Sequence, residues 1–427
     1  MPGPARLDTA RLGPALKSQT MSPEQLRCLE MAERAIGLSE PNPRVGCVIR
    51  TAQGQEVMGH THAAGGLHAE AHALQQAHEQ GLDLRGATVW VSLEPCSHQG
   101  RTPPCSRALV QAGVARVEVA CLDPNPLVRG RGVEELRQAG IEVHVDQGPW
   151  MARARALNIG FMSRMERGRP WVRMKVAASL DGTTALHNGR SQWITSSAAR
   201  EDGHRWRARA AAILTGIGTV RDDDPRLDVR AVAVAQQPLR VVVDSRLDID
   251  PRARVLQPPG PCLVYSVSTD AHRLEALQAL PGVEVCAVPA ARSAASGGDA
   301  AAKNDLAALM EDLGRRGINE LHVEAGEKLN GSLLRAGLVD EMLVYLAPSL
   351  LGPGRRLAEV FGTPLESLDG RVDLRFVEAA RVGPDLRVRA LTAPGQDAWA
   401  RAWAPGWPPT ALGADEPRSA PAPEYPG

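Results

Sequence analysis

The stretch His68-Ala69-Glu70, followed by EPCSHQGRTPPC at residues 94–105, decides how the first half of the chain is interpreted. Residues 67–80 follow a Gly-Gly turn and place apolar side chains at helical spacing, which predicts a helix. Residues 87–93 (ATVWVSL) predict a buried strand, and residues 107–111 predict a short helix. The polar residues of the stretch therefore lie where loops meet helices, the usual place for sites in α/β folds.

The stretch supplies one imidazole, two thiols and one carboxylate, the residue set of a hydrolytic zinc site. We expect His68, Cys96 and Cys105 to bind Zn²⁺ and to leave one tetrahedral position open for water. Glu70 points about 200° away from His68 on an ideal helix, so we expect it to move protons rather than bind the metal. The alternative is two ordinary buried thiols and a surface histidine, but the combination of all these residues argues against it.

The spacing of the two thiols departs from the general zinc deaminase pattern, in which two residues separate the cysteines. Here eight residues separate Cys96 from Cys105. This longer segment, with PNPRVG at 41–46 and DPNP at 123–126, resembles the bifunctional deaminase/reductase family of riboflavin biosynthesis. The resemblance covers residues 21–392, which is most of the chain.

The resemblance implies two domains, two cofactors and two reactions. A cytidine-deaminase-like α/β/α domain with Zn²⁺ is expected over residues 21–167, and a dihydrofolate-reductase-like α/β domain with NADPH over residues 168–393. The first would deaminate a diaminopyrimidine that carries a ribosylamino phosphate, and the second would reduce the ribosyl group to ribityl. Small pyrimidine ribosyl phosphates are therefore the expected partners, and the family also implies a homo-oligomer.

Further residues near the predicted zinc site are candidates for substrate contacts. Asn42 lies between two prolines and either forms a turn or, by resemblance, pairs with the pyrimidine. His98 and Arg101 belong to the loop over the metal, where the resemblance implies contacts to the substrate phosphate or base. His72 follows His68 by four residues and either forms a second metal pair with it or packs on the helix surface or the substrate side.

The composition argues against some other classes of protein. The chain has 427 residues, with 49 basic and 49 acidic side chains, so it lacks the basic excess that nucleic-acid binding requires. Seven scattered cysteines do not resemble a secreted disulfide framework, and thiols that bind metal favour a reducing cytoplasm. No apolar stretch is long enough to span a membrane.

The order of predicted elements divides the chain. Residues 1–20 predict a flexible leader, and residues 150–165 predict one connecting helix. Pro170 then begins a second alternation of strands and helices, including strands over 211–220 and 239–245. Residues 394–427 are rich in Pro, Ala and Gly and predict a disordered tail.

Four segments of the second half resemble the reductase half of the same family. They are KVAASLDG at 175–182, SQWIT at 191–195, TVRDDDPRLDVR at 219–230 and VEAG at 323–326. On these segments the resemblance implies cofactor contacts at Ala177, Trp193, Thr219 and Asp223, and substrate contacts at Ser191 and Leu227.

The chemistry of other residues in this half suggests further contacts. Gly326 to Ser332 lead into a helix and would offer N–H groups to a pyrophosphate, although plain helix capping is the alternative. Ser245 and Arg246 would suit the 2′-phosphate of NADPH, a preference that the preceding Asp244 weakens.

The remaining candidates are contacts to the substrate. Arg207 and Arg230 are candidates to bind its phosphate, although an arginine considered alone is more often a solvated surface residue. Glu324 is a candidate polar contact.

Two other functions remain open at this point. One is a deaminase whose second domain is inactive or purely structural, because the reductase half lacks an equally sharp chemical marker. The other is a nucleic-acid-editing deaminase, which the net charge of zero and the wide cysteine spacing both disfavour.

Overall fold

The computed structural model describes residues 21–97, 103–291, 303–356 and 364–402. The predicted leader and the loop residues His98 and Arg101 lie outside these ranges. Within them the chain forms two mixed sheets flanked by helices, so the predicted α/β class is confirmed. No helix in the described part of the chain is long and apolar enough to cross a membrane.

The N-terminal region is built around a five-stranded sheet of order β2-β1-β3-β4-β5. Its elements are α1 (Pro23–Glu33), β1 (Gly46–Arg50), β2 (Glu56–His60), α2 (Ala69–Glu79), β3 (Thr88–Val91), α3 (Cys105–Ala112), β4 (Arg116–Val119), α4 (Arg131–Gln138), β5 (Glu142–Val145), α5 (Pro149–Leu157) and α6 (Ile159–Arg167). Strands β2, β1 and β3 are antiparallel, whereas β3, β4 and β5 are parallel. The parallel part brings the loops after β3 and β4 to the same edge of the sheet, which is where sites form in such folds.

The C-terminal region is built around a nine-stranded sheet of order β11-β10-β9-β8-β12-β6-β13-β16-β15, beside a two-stranded sheet of β14 and β7. Its elements are β6 (Trp171–Ser179), β7 (Thr183–Leu186), α7 (Ser197–Arg209), β8 (Ala212–Gly216), α8 (Ile217–Asp223), β9 (Leu239–Val243), β10 (Cys262–Ser266), α9 (Ala271–Gln278), β11 (Val283–Ala287), α10 (Leu306–Arg315), β12 (Glu320–Val323), α11 (Glu327–Arg335), β13 (Glu341–Ala347), β14 (Gly354–Arg356), β15 (Arg375–Val382), β16 (Asp385–Leu391) and α12 (Ala393–Ala402). The strands from β11 to β13 are parallel, and β16 and β15 extend the sheet antiparallel.

Two predicted elements differ from the structure. The single helix over 150–165 is two helices, α5 and α6, separated at the buried residue Asn158. Its side chain exchanges hydrogen bonds of 2.7 and 2.9 Å with the backbone of Arg44, which holds the break in place. The strand predicted over 211–220 ends at Gly216 and continues as α8, because Gly216 has an extended backbone and caps that helix.

The predicted disorder from residue 394 onward is wrong for its first part. Residues 393–402 form α12, and Trp399 is buried, with its ring centroid 6.1 Å from that of Trp171. A Cβ at Gly395 would lie 1.8 Å from the carbonyl oxygen of Asp340, so α12 packs directly on the preceding backbone. The amino-acid composition does not predict this helix, because the packing of Trp399 against Trp171, rather than local helix propensity, orders it. Residues 403–427 lie outside the described part.

A buried ionic network joins the two regions. Arg44 of the first region donates a 2.6 Å hydrogen bond to Glu320, which also pairs with Arg173 at 2.8 Å and with Arg209 at 2.9 Å. These cations hold the pKa of the fully buried Glu320 carboxyl well below its usual range. Removing one partner would leave a buried charge uncompensated, so the network stabilises one arrangement of the two regions.

Candidate functional site

The first candidate site lies at the edge of the N-terminal sheet. His68 Nδ1 is 3.5 Å from Cys96 Sγ and 3.5 Å from Cys105 Sγ. A tetrahedron with zinc–nitrogen bonds of about 2.0 Å and zinc–sulfur bonds of about 2.3 Å has a nitrogen–sulfur edge of about 3.5 Å. The three side chains, whose ligand atoms all lie within 4.8 Å of one another, therefore fit a zinc ion.

Local structure explains why these side chains meet. His68 has an extended backbone and is the N-cap of α2, so it precedes the helix rather than lying in its first turn. Cys96 follows β3, and Cys105 is the first residue of α3, where its N–H donates to Cys96 Sγ at 3.4 Å. A hydrogen bond from the Cys105 thiol lowers the pKa of Cys96 to about 4. A helix N-terminus and donated N–H groups favour the thiolate that zinc requires.

Glu70 lies beside this set without belonging to it. It is in the first turn of α2 and only 4% exposed. Burial raises the pKa of Glu70 to about 7, whereas a cation bound at the thiolates would lower it again. A buried carboxyl group beside the ligand set, without being a ligand itself, can accept and donate a proton.

Glu94 was missed as a site residue by the sequence reasoning, although it begins the EPCSH segment. Its buried carboxylate accepts backbone N–H groups from the loop after β4 and from the start of α4, at Gly130 (2.8 Å), Gly132 (2.9 Å), Asp123 (3.2 Å) and Val133 (3.2 Å). A Cβ at Gly132 would lie 2.0 Å from the Pro95 carbonyl oxygen, so the two segments are in close contact. Glu94 therefore fixes the loop that carries Cys96.

The second candidate site is a cleft of about 1510 Å³ at the carboxyl ends of β6, β8 and β12. Gly216 begins α8 and Gly326 begins α11, and a Cβ at Gly326 would lie 3.7 Å from Thr219 Oγ1. Two strand-to-helix turns thus approach each other across the cleft. The predicted cofactor and substrate residues of this half all line it: Ala177, Ser191, Trp193, Arg207, Thr219, Asp223, Leu227, Arg230, Ser245, Arg246, Glu324, Gly326 and Ser332.

Charged side chains on the cleft wall are already ordered by one another. Arg207 donates to both carboxylate oxygens of Glu324, at 2.5 and 2.9 Å, and to the carbonyl oxygen of Asp228 at 3.0 Å. Arg207 holds the pKa of Glu324 well below its usual range. Lys175, on β6, also lies near this pair, and burial lowers its pKa. The cleft therefore has a preorganised cationic corner.

Comparisons with known proteins match a different family model to each half of the chain. Residues 24–121 match the family model of the cytidine and deoxycytidylate deaminase zinc-binding region, and residues 170–388 match that of the RibD C-terminal domain. The riboflavin biosynthesis protein RibD of Escherichia coli K12 is 43% identical over 381 residues, which cover 86% of this chain and 98% of that protein.

The chain belongs to the RibD family. It is a bifunctional deaminase and reductase of riboflavin biosynthesis, and its cofactors are Zn²⁺ and NADPH.

Solved structures of this family share the fold. RibD of Acinetobacter baumannii is 38% identical with a TM-score of 0.75, covering 87% of this chain and 98% of that one. A diaminohydroxyphosphoribosylaminopyrimidine deaminase/5-amino-6-(5-phosphoribosylamino)uracil reductase of Thermotoga maritima is 30% identical with a TM-score of 0.74, again covering 87% and 98%.

The structure shows the surroundings of three residues for which the sequence predicted a role in this RibD protein. Asn42 lies in a turn, where its N–H donates to the Ser39 carbonyl at 2.8 Å and its own carbonyl accepts from Ser39 Oγ at 3.1 Å. Leu227 is only 2% exposed and packs in the core, and it also borders the cleft. His72 does not pair with His68 but contacts His60 and His62.

The segment at the end of β9 places Ser245 and Arg246 beside a buried acid. Asp244 is buried, and its two carboxylate oxygens accept the N–H groups of Arg246 (3.3 Å) and Ile249 (2.8 Å). Arg246 is largely exposed and contacts Asp248 at 3.0 Å, while Ser245 Oγ accepts the N–H of Asn304 at 3.2 Å. The acid that would oppose an anion is thus engaged in holding its own loop.

Lys175 begins the KVAASLDG segment and lines the cleft, but the sequence analysis assigned it no role. It lies on β6 between Arg173 and Ala177, and strand periodicity places these three side chains on one face. Arg173 pairs with Glu320 in the buried network, whereas Ala177 lines the cleft. A second cation in the middle of an apolar strand was the signal that could have identified it.

Proposed function

We propose that the substrate is a diaminopyrimidine ribosylamino phosphate, deaminated first at the N-terminal site and then reduced from ribosyl to ribityl in the C-terminal cleft. The observation that supports this most is the metal triad, His68, Cys96 and Cys105, beside a buried carboxyl group that is not a ligand. The name of the Thermotoga maritima relative gives that protein a deaminase and a reductase activity on phosphoribosylamino compounds.

At the N-terminal site, we propose that His68, Cys96 and Cys105 hold the ion and that Glu70 moves the protons. Zinc supplies an activated water when it is bound. Glu70 would accept one proton from the attacking water and deliver it to the ring nitrogen. It would then carry the second proton, from the hydroxyl group now on the ring carbon, to the amino group, which leaves as ammonia while the carbonyl forms. Asn42, His98 and Arg101 remain proposed contacts to the base or phosphate.

In the C-terminal cleft, we propose that the protein mainly positions two reactants. NADPH supplies the hydride. The turn from Gly326 to Ser332 would bind the pyrophosphate, with Ser245 and Arg246 at the 2′-phosphate and Ala177, Trp193, Thr219 and Asp223 along the cofactor. Ser191, Leu227 and Arg230 would contact the substrate, and the Arg207–Glu324 pair would orient it.

The domain boundaries follow from this division. We propose a deaminase unit over residues 21–167 and a reductase unit that begins at residue 168 and extends beyond the predicted limit of 393. α12 supports the extension because Trp399 packs against Trp171 of β6.

We propose that the protein functions in the cytoplasm as a homo-oligomer that does not bind nucleic acid. The net charge of zero supports the absence of nucleic-acid binding, and the proposed thiol ligands support a reducing cytoplasm.

The experiment that tests the proposed function follows the two steps separately. Full-length protein is supplied with the diaminopyrimidine ribosylamino phosphate, and ammonia and NADPH oxidation are measured in parallel. Ammonia release without NADPH and NADPH oxidation only after ammonia release are the expected results. NADPH oxidation that precedes ammonia release would contradict the proposed order.

A further inference from the structure

Three histidines meet on the N-terminal region outside the Cys-containing site. His60 ends β2, His62 lies in the loop that follows, and His72 is one turn inside α2. Their rings pack with centroids 5.0 Å (His60–His62), 5.1 Å (His60–His72) and 4.4 Å (His62–His72) apart. All three are partly exposed, so an ion could reach them from solvent.

Close packing of β2 on α2 explains why these rings meet. A Cβ at Gly59 would lie 2.2 Å from the carbonyl oxygen of Ala69 and 3.1 Å from the Cβ of His72. Strand β2 therefore approaches the helix as closely as a glycine permits, which brings His60 beside His72. Fixed strand and helix positions hold these two side chains without any ligand.

The nitrogen atoms of the cluster have the geometry of a ligand set. One nitrogen from each ring lies within 4.8 Å of the other two. His62 Nε2 and His72 Nδ1 are 3.1 Å apart, close to the edge of about 3.3 Å between two nitrogens that bind one tetrahedral ion. Because the two nitrogens face each other, one proton must lie between them, and a cation could take its place.

The third ring is oriented as metal-binding histidines are. His60 Nδ1 lies 3.1 Å from the carbonyl oxygen of Thr61, so it bears the proton and leaves Nε2 free as a lone-pair donor. A histidine that binds metal usually donates its other N–H to such an acceptor. The backbone N–H of His60 donates to His72 Nδ1 over a longer distance, 3.3 Å, and ligation through His72 Nδ1 would replace this hydrogen bond.

We propose that His60, His62 and His72 form a second metal site, which binds a borderline divalent cation such as Zn²⁺, Ni²⁺ or Co²⁺. Three neutral imidazoles suit these ions, whereas Mg²⁺ and Ca²⁺ prefer oxygen ligands. The ion would tie the end of β2 and the following loop to α2, the helix that His68 caps. The site shares no side chain with the triad of His68, Cys96 and Cys105, and Glu70 is not part of it.

The test uses the full-length chain, stripped of metal with a chelator, reloaded with Co²⁺ and passed through a desalting column. The wild type should retain about two ions per chain, measured by elemental analysis. His62→Asn should retain about one and keep the sulfur-to-cobalt charge-transfer band of the other site. Cys105→Ser should also retain cobalt, but without that band. The matched control is His78→Gln, an exposed histidine on the same helix, which should retain both ions.

The outcomes separate this site from the proposed function. A wild type that retains one ion, or a His62→Asn variant that binds as much as the wild type, would overturn the second site. A loss of all cobalt in Cys105→Ser would also overturn it, since the histidine cluster would then bind nothing by itself. Failure of ammonia release in the wild type would count against the proposed reaction and leave the metal count unaffected.

Discussion

The deaminase and reductase regions of this chain build their sites in different ways. In the deaminase region the proposed ligand atoms of His68, Cys96 and Cys105 lie within 4.8 Å of one another, and each residue lies close to the end of a helix or strand. In the reductase region a cleft of about 1510 Å³ is shaped by strand-to-helix turns and by ion pairs among its own residues. A metal site concentrates its chemistry in a few side chains, whereas cofactor binding distributes it over backbone and many weak contacts. Single substitutions should therefore have large effects in the first region and graded effects in the second.

The largest effect is expected for Cys105→Ser. Loss of one thiolate from a three-ligand site should remove the ion bound with Cys96 and abolish ammonia release. NADPH oxidation with deaminated substrate should remain near the wild-type rate, because Cys105 belongs to the other region. Zinc analysis and the two separate assays measure these changes. Cys286→Ser, another free cysteine but on β11, is the control and should lose neither activity.

Glu70→Gln is expected to have the next largest effect. The amide keeps the shape of the side chain but cannot accept a proton, so kcat for ammonia release should fall on the order of 10²-fold or more. Zinc content should stay at the wild-type level, which separates proton transfer from metal binding. Glu79→Gln, an exposed glutamate at the end of the same helix, should be silent. Near-normal turnover in Glu70→Gln would exclude the proposed role.

The contrast between the regions also explains how far the sequence could predict them. The sequence could indicate the triad and Glu70 as candidates, because zinc chemistry requires particular residue types at short range. The ring cluster around His72 was not found, since it depends on β2, a strand that the sequence reasoning did not predict, packing on α2 through Gly59.

The reductase cleft shows the same limit. Some of its lining residues were predicted from family motifs or from their chemistry, but the partners that fix them were not. Arg207 pairs with Glu324 across 117 residues of sequence, and no local pattern predicts such a contact. The helix α12 was likewise hidden by a composition typical of disorder, because its order comes from Trp399 packing on Trp171.

Lys175 should show an intermediate and pH-dependent effect. Its pKa is lowered by burial, so it loses its charge at a lower pH than an ordinary lysine, and any step that needs the ammonium weakens as pH rises through that lowered pKa. Lys175→Met should reduce kcat/KM of the reductase about tenfold at neutral pH. Lys175→Arg stays charged, and should move the alkaline decline to higher pH. The pH profile of NADPH oxidation tests this. An identical alkaline limb in wild type and Lys175→Arg would assign the decline to another group.

The smallest effect is expected for Arg246→Ala. This variant tests whether the positive charge of Arg246 helps to bind the 2′-phosphate of NADPH. Arg246 is 65% exposed and already contacts Asp248, so solvent and that partner weaken its attraction for a phosphate. We expect the apparent KM for NADPH to rise about three- to tenfold, while the KM for NADH, which lacks the phosphate, should stay nearly unchanged. Steady-state kinetics with both cofactors at several salt concentrations measure this, and the difference should shrink as salt screens the charge.

A matched control for Arg246 is available nearby. Arg252 pairs with Asp250, also two residues away, and is 90% exposed, but it does not line the cleft. Arg252→Ala should leave both KM values unchanged, because it removes an equivalent surface ion pair without touching the cofactor site. If Arg246→Ala instead weakened NADPH and NADH equally, the arginine would act by ordering the loop after β9. The buried carboxylate of Asp244, which accepts two N–H groups of that loop, would then be the group that sets its conformation.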